Sequence, residues 1–195
     1  VEPIVIIVVA AVVLATIFLA VGKKMRNTWR VEKAVLVNTT AGELFELIND
    51  LSQWQKWTVW NSQNEPDLQF DYPTQKKQGQ NALQTWTSAR IKGELNIVKS
   101  TKNSEIAYTF VLLRGNFRLN GLIALGAADT YFTQVAWRLE LAPIVSINPI
   151  QRYLGGSLRQ SFDADIEESL QNLVALFEGR HPIEESETET DDERP

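Results

Sequence analysis

The chain has 195 residues, 44% of them hydrophobic, with no Cys, one His and a formal net charge of -5 at pH 7. Without Cys, a disulfide scaffold, a thiol nucleophile and a thiolate metal site are all excluded. The first 21 residues are almost wholly apolar and the last 15 almost wholly polar, which leaves about 150 residues between Arg30 and Gly179 for one domain with its own core. The charge is unevenly spread. His181–Pro195 carries seven acids against Arg194, while Lys23, Lys24, Arg26, Arg30 and Lys33 stand together against Glu32. Residues 34–180 hold 13 bases and 15 acids and are nearly neutral. Nucleic-acid binding needs a basic stripe to neutralise phosphates, so no nucleic-acid partner is expected.

Ile4–Val21 contains no charge, and its 18 residues, at about 1.5 Å each, extend roughly 27 Å, close to the thickness of a hydrocarbon core. The segment reads as one transmembrane helix over residues 3–22, followed by a basic linker at 23–29. A secretory signal carries its bases ahead of the apolar run, whereas here they follow it. Their position places the C-terminal side in the cytoplasm, which predicts a single-pass protein of the inner (plasma) membrane with a cytoplasmic domain. The lipid bilayer is thus the first expected partner. A buried core element of a soluble protein is the other reading, opposed by a length well beyond that of an ordinary strand.

Arg30–Asn38 alternates Val31, Lys33, Val35 and Val37 against Glu32, Ala34 and Leu36, a strand pattern. Thr40 with Glu43 forms a capping box, and Leu44, Phe45, Leu47 and Ile48 supply the stripe of a short helix ending near Asp50. Trp54, Trp57 and Trp60 follow at three-residue spacing, so that at least the first two share a face of a helix. They plug the end of a core or wall a ligand cavity. Asn61–Gln80 is polar, holds Pro66 and Pro73, and has room for one short strand at Leu68–Tyr72. Strands are then predicted at Asn81–Ala89, Ile91–Ser100, Glu105–Leu113, Asn116–Gly126 and Thr130–Leu141. Their short separations require antiparallel neighbours, hence a meander of about five strands. In the last strand Tyr131, Thr133, Val135, Trp137, Leu139 and Leu141 share a face, with Arg138 and Glu140 on the other.

Asn148 and Pro149 suit a helix start, and the helix runs from about Pro149 to Phe177 with Leu154, Leu158, Phe162, Ile166, Leu170 and Leu173 at mostly four-residue spacing. Gly155-Gly156 loosens its beginning, and Gly179 and Pro182 stop it. A meandering sheet with one long helix at its end packs economically when the sheet curls and the helix lies in its concave face.

The strand RVEKAVLVN, the helix begun by Thr40, the run Asn49-Asp50-Leu51 with Trp54, Trp57 and Trp60, and the closing helix ending in Leu170, Leu173, Leu176 and Phe177 resemble the polyketide cyclase/dehydrase branch of the START-like superfamily, also called SRPBCC or Bet v 1-like. The resemblance covers about residues 30–178 and points to a membrane-anchored bacterial member. It implies an α+β helix-grip fold at 30–179, a curved antiparallel sheet around a long C-terminal helix, preceded by the transmembrane helix and trailed by a disordered acidic tail at 180–195. It also implies an apolar cavity for a hydrophobic small molecule or lipid. Where members carry Ser-Pro between the second and third Trp, this chain has Thr58-Val59, which reshapes a loop without touching a catalytic group.

Catalytic signals are absent. The one His, His181, lies in the acidic tail, which leaves no Ser-His-Asp arrangement and argues against a His-ligated zinc. No glycine motif has the strand-turn-helix context of a phosphate cradle. No catalytic residue, metal ligand or cofactor is therefore assigned. Arg90, Glu94, Arg114, Arg118, Arg138 and Glu140 read as the solvent face of the sheet, the other reading being one acid and one Arg turned inward. Asp163, Asp165, Glu167 and Glu168 read as an exposed helix face; the like-charged pair Asp163 and Glu167, four apart, would also suit a cation. By parity and spacing the expected cavity wall is Trp54, Trp57, Trp86, Phe110, Phe117, Trp137, Leu158 and Phe162, with Gln84, Tyr108 and Thr133 to orient a ligand. The function expected is membrane-tethered binding of a hydrophobic molecule. A scaffold with a filled cavity that contacts another membrane protein is the alternative, and a cyclase or dehydratase a third.

Overall fold

The computed structural model describes residues 3–24, 28–112, 117–129, 131–143 and 149–178. Arg26, Arg114, Asn148, Gly179 and the acidic tail, on which the sequence raised expectations, lie outside these residues. Helix α1 (Pro3–Lys24) precedes strand β1 (Arg30–Val37), helix α2 (Ala41–Asn49) and a 3-10 turn (Leu51–Lys56). Strands β2 (Gln69–Asp71), β3 (Leu83–Thr87), β4 (Lys92–Thr101), β5 (Glu105–Leu112), β6 (Phe117–Ala127) and β7 (Thr133–Leu141) follow, and helix α3 (Pro149–Phe177) closes the fold.

The strands form one antiparallel sheet in the order β1-β7-β6-β5-β4-β3-β2. The meander thus has six strands, and β1 adds a seventh by pairing with β7, Val31 opposite Leu139 and Val37 opposite Thr133. The curved sheet packs against α3 in a helix-grip architecture. Alternation accounts for the buried face: Val135, Trp137, Leu139 and Leu141 of β7 and Phe117, Leu119 and Ile123 of β6 are all buried. The last strand starts at Thr133, not Thr130, because Asp129 Oδ1 accepts from the backbone of Tyr131 and Phe132 and closes a turn there. Tyr131 is consequently exposed rather than on the inner face.

Thr40 caps α2, its hydroxyl accepting from Glu43 N at 3.3 Å, as the capping box required. The Glu43 carboxylate also accepts from Thr39 Oγ1. Asp50 caps the 3-10 turn, accepting from Ser52 N at 2.9 Å and Ser52 Oγ at 2.6 Å.

α3 runs alongside β1. Trp29 Nε1 donates to Gly155 O at 2.6 Å, and Lys33 Nζ lies 3.3 Å from Asp163 Oδ2 and 2.9 Å from Glu167 Oε2. The cation between the two like-charged acids is thus a lysine of the first strand, half-buried on the strand's inner face. Arg30 pairs with Glu140 and Arg138 with Glu32 across β1 and β7. Arg90, Glu94 and Arg118 are exposed. Every described side chain of α1 is exposed as well, and its apolar stretch has a mean hydropathy of 3.3. The helix touches the domain through Phe18, whose ring stacks on Tyr153 of α3 at 4.5 Å while Tyr153 Oη donates to Phe18 O at 3.1 Å.

Candidate functional site

Between the sheet and α3 lies a cavity of about 320 Å³. Gln84 and Trp86 of β3, Leu95 of β4, and Phe110 and Leu112 of β5 form one wall. Leu158, Ser161, Phe162 and Asp165 form the opposite one; they are spaced 3, 4 and 7 along α3 and therefore share one face. The loop after the 3-10 turn closes the side with Thr58, Val59, Trp60, Asn61, Asn64 and Glu65.

That loop is held by α3 itself. Val59 N donates to the buried Ser169 Oγ at 3.0 Å, and Trp60 Nε1 donates to Asp165 Oδ2 at 3.2 Å. Aromatic rings carry the wall: Trp86 and Phe110 lie 4.8 Å apart, Trp60 and Phe110 5.3 Å, and Phe110 and Phe162 5.8 Å. Ring pairs at these separations pack favourably without stacking face to face.

Register places the cavity along the sheet. A row of paired residues crosses from Arg30 through Glu140, Asn120, Thr109 and Asn96 to Leu83. Gln84, Trp86, Leu95, Phe110 and Leu112 all lie on the side of this row that faces the start of β1. The cavity thus occupies the end of the sheet nearest α1.

Of the residues expected at the cavity, Trp54, Gln84, Trp86, Phe110, Leu158 and Phe162 line it. Trp57, Tyr108, Phe117, Thr133 and Trp137 do not; they are buried in the packed core beyond it. There Trp54 bridges to the core, 5.3 Å from the rings of both Trp57 and Tyr108 and 6.0 Å from Trp137. The polar candidates have internal partners. Tyr108 Oη accepts from Trp137 Nε1 at 2.7 Å, and Thr133 Oγ1 donates to Thr39 O at 2.8 Å. Gln84 Nε2 donates to Leu51 O at 3.1 Å and Tyr72 Oη at 3.0 Å, which fixes the amide in the wall. Complete burial pushes the Tyr108 hydroxyl well above the usual phenol range, so it stays protonated and serves as the acceptor for Trp137.

Asp165 is one of the polar wall residues that sequence reasoning missed, with Thr58, Asn61, Asn64, Glu65 and Ser161. It was grouped with Asp163, Glu167 and Glu168, although its spacing from Phe162 and Leu158 puts it on their face. Burial raises its pKa from the ordinary carboxyl value, the Trp60 hydrogen bond opposes that rise, and Glu168 adds to it. Among the described residues no group of three or more His, Asp or Glu is arranged to hold a metal ion.

No curated protein matches the chain. Among solved structures, a hypothetical protein from Helicobacter pylori is 11% identical with a TM-score of 0.56, over 76% of this chain and 88% of that one. A protein from Rhodobacter sphaeroides is 12% identical with a TM-score of 0.52, over 78% and 93% of the two chains. Ara h 8.0201 is 12% identical with a TM-score of 0.51, over 75% and 98%. At such identities the likeness speaks for the fold alone. A family model described as polyketide cyclase / dehydrase and lipid transport matches residues 28–178, from the strand before α2 to the end of α3, and the chain belongs to that family.

Proposed function

We propose that the domain binds a hydrophobic small molecule or lipid in the cavity between the sheet and α3, and that α1 tethers it to a bilayer. The observation that carries this reading is the aromatic-walled cavity of about 320 Å³, roughly twice the ~150 Å³ in which an apolar cavity already admits benzene. A cavity of this size lies at the lower end of the range used by small-molecule sites. Its position at the α1 end of the sheet puts its wall beside the bilayer that would store an apolar ligand.

The tether reading rests on the uncharged length and full exposure of α1. Tyr153 supports it too: it meets Phe18 one turn before the apolar stretch ends, a depth at which amphipathic aromatic rings are favoured. With the bases of residues 23–33 on the C-terminal side, the domain is assigned to the cytoplasmic face of the inner membrane, as a single-pass protein. A reporter fused after Pro195 should be active on the cytoplasmic side; activity only outside would overturn the orientation.

Native mass spectrometry of the full chain released from lipid nanodiscs tests the binding reading. The expected spectrum carries an apolar adduct of a few hundred daltons that is lost from a Leu158→Trp variant, whose indole fills the space beside Phe162. A wild-type chain with no adduct in any lipid background would favour a scaffold that contacts another membrane protein.

A further inference from the structure

The cavity is walled mainly by apolar and aromatic side chains, with polar groups gathered where α3 meets the loop after the 3-10 turn. Among them is Asp165, whose Oδ2 is engaged by Trp60 Nε1 at 3.2 Å. Among the described residues no Lys or Arg forms an ion pair with it; Lys33 of β1 is held by Asp163 and Glu167, which lie on another face of the helix.

The amide and indole donors around Asp165 are already spent on the protein. Asn61 Nδ2 donates to Thr58 O at 2.8 Å and Asn64 Nδ2 to Val59 O at 2.9 Å. Trp54 Nε1 donates to Ile48 O at 2.7 Å, and the Gln84 amide is committed to Leu51 and Tyr72. Asn61 Oδ1 accepts from Gln63 N and Asn64 N, which fixes the turn of the loop. What this side of the cavity has to offer a ligand is therefore mainly acceptor capacity: the Asp165 carboxyl on α3 and, from the loop, the Glu65 carboxyl, whose Oε1 is buried without a hydrogen-bond partner, as is the Thr58 hydroxyl. A carboxyl group inside an aromatic wall is costly unless something donates to it.

We propose that Asp165 is the polar anchor of the cavity, and that the ligand is an amphiphile whose apolar part lies among Trp86, Phe110 and Phe162 while its hydroxyl or amino group donates to the Asp165 carboxyl. This rests on the ligand-binding reading above and narrows it to ligands with a donating head. An acidic amphiphile of the same length is rejected, because it brings a second acceptor, and a like charge, to an acceptor site.

The test uses the full chain in phosphatidylcholine nanodiscs at neutral pH with three photoreactive probes that share one diazirine-bearing decyl chain and end in an amine, an alcohol or a carboxylic acid. Labelled peptides are mapped by mass spectrometry, and labelling of α1 corrects for partition into the bilayer. Peptides holding Trp86, Phe110 or Phe162 are expected to take the amine and the alcohol about tenfold more than the acid, the size of one hydrogen bond to a charged group. Asp165→Asn, which keeps the shape and one acceptor oxygen, should bring the three probes close to parity, while Asp163→Asn, on another face of the helix, should leave the preference intact. Equal cavity labelling by all three probes in the wild type, or a preference that survives in Asp165→Asn, overturns the anchor and leaves the ligand reading standing. The wild-type panel decides this alone if Asp165→Asn does not fold. Labelling confined to α1 with every probe overturns both.

Discussion

The indole of Trp86 lies flat across Gly93, its partner on the adjacent strand: a Cβ built on Gly93 would sit 2.3 Å from Trp86 Cζ2 and 2.7 Å from Val111 O. A glycine opposite an aromatic ring lets the ring fold down onto the backbone, and here that sets the floor of the cavity. Gly93→Ala must lift the indole toward Phe110, narrowing the space where the apolar part of a ligand would lie. The expected outcome is a loss of about 1–3 kcal/mol in stability from overpacking, together with weaker retention of any apolar adduct. Gly126→Ala is the control, since a Cβ there meets nothing within 4 Å. It should be neutral or slightly stabilising in denaturant titrations, as Ala replaces Gly in a strand.

The same device recurs deeper in the sheet, where Tyr108 covers Gly121 of β6. Its hydroxyl accepts from the buried Trp137 Nε1 at 2.7 Å. Tyr108→Phe leaves that N–H buried and unsatisfied, at a cost of about 1–3 kcal/mol by chemical denaturation. The pH response has a definite sign. The folded-state pKa of Tyr108 is raised, so the folded state holds its proton more tightly than the unfolded chain does. Stability is complete below the unfolded phenol value of about 10 and falls as pH rises above it. Tyr108→Phe should blunt that alkaline loss.

Asp50 gives the opposite limb. Burial alone would push its carboxyl up, but donors on Ser52, Gln78 and Gln53 together outweigh burial and hold it below the ordinary value. Its contribution is therefore present above about pH 3.9 and is lost as pH falls through the lower folded value. Asp50→Asn keeps one oxygen for the Ser52 cap but turns an amide NH2 toward the Gln78 and Gln53 donors, and should cost about 1 kcal/mol at neutral pH, as a lost hydrogen bond does. Acid titration of stability in the variant should be flatter than in the wild type.

Much of the fold was legible because its periodicities are strong. β7 and β6 bury every second residue, and α3 repeats its apolar positions at nearly constant spacing. The cavity was legible only in part, for a physical reason. Tyr108 and Phe110 share parity on β5 and face the same way, yet Phe110 lines the cavity and Tyr108 is sealed in the core. Parity fixes the face of a sheet, whereas the position along the strand at which α3 stands off from that face is set by packing of the whole domain. The tryptophans show a second limit. Three-residue spacing aligns side chains on a 3-10 turn, but the turn stops at Lys56, so Trp57 swings into the core and Trp60 crosses to Asp165. Asp165 itself was hidden by its acidic neighbours, two of which serve Lys33.

Crystallography of the full chain grown from a lipidic mesophase looks straight into the cavity. The expected map has continuous density for an apolar body within about 4 Å of Trp86, Phe110 and Phe162, with its polar end toward Asp165. Rings closed onto one another, with no room left for a ligand in a lipid-rich medium, would contradict the binding function proposed for this domain.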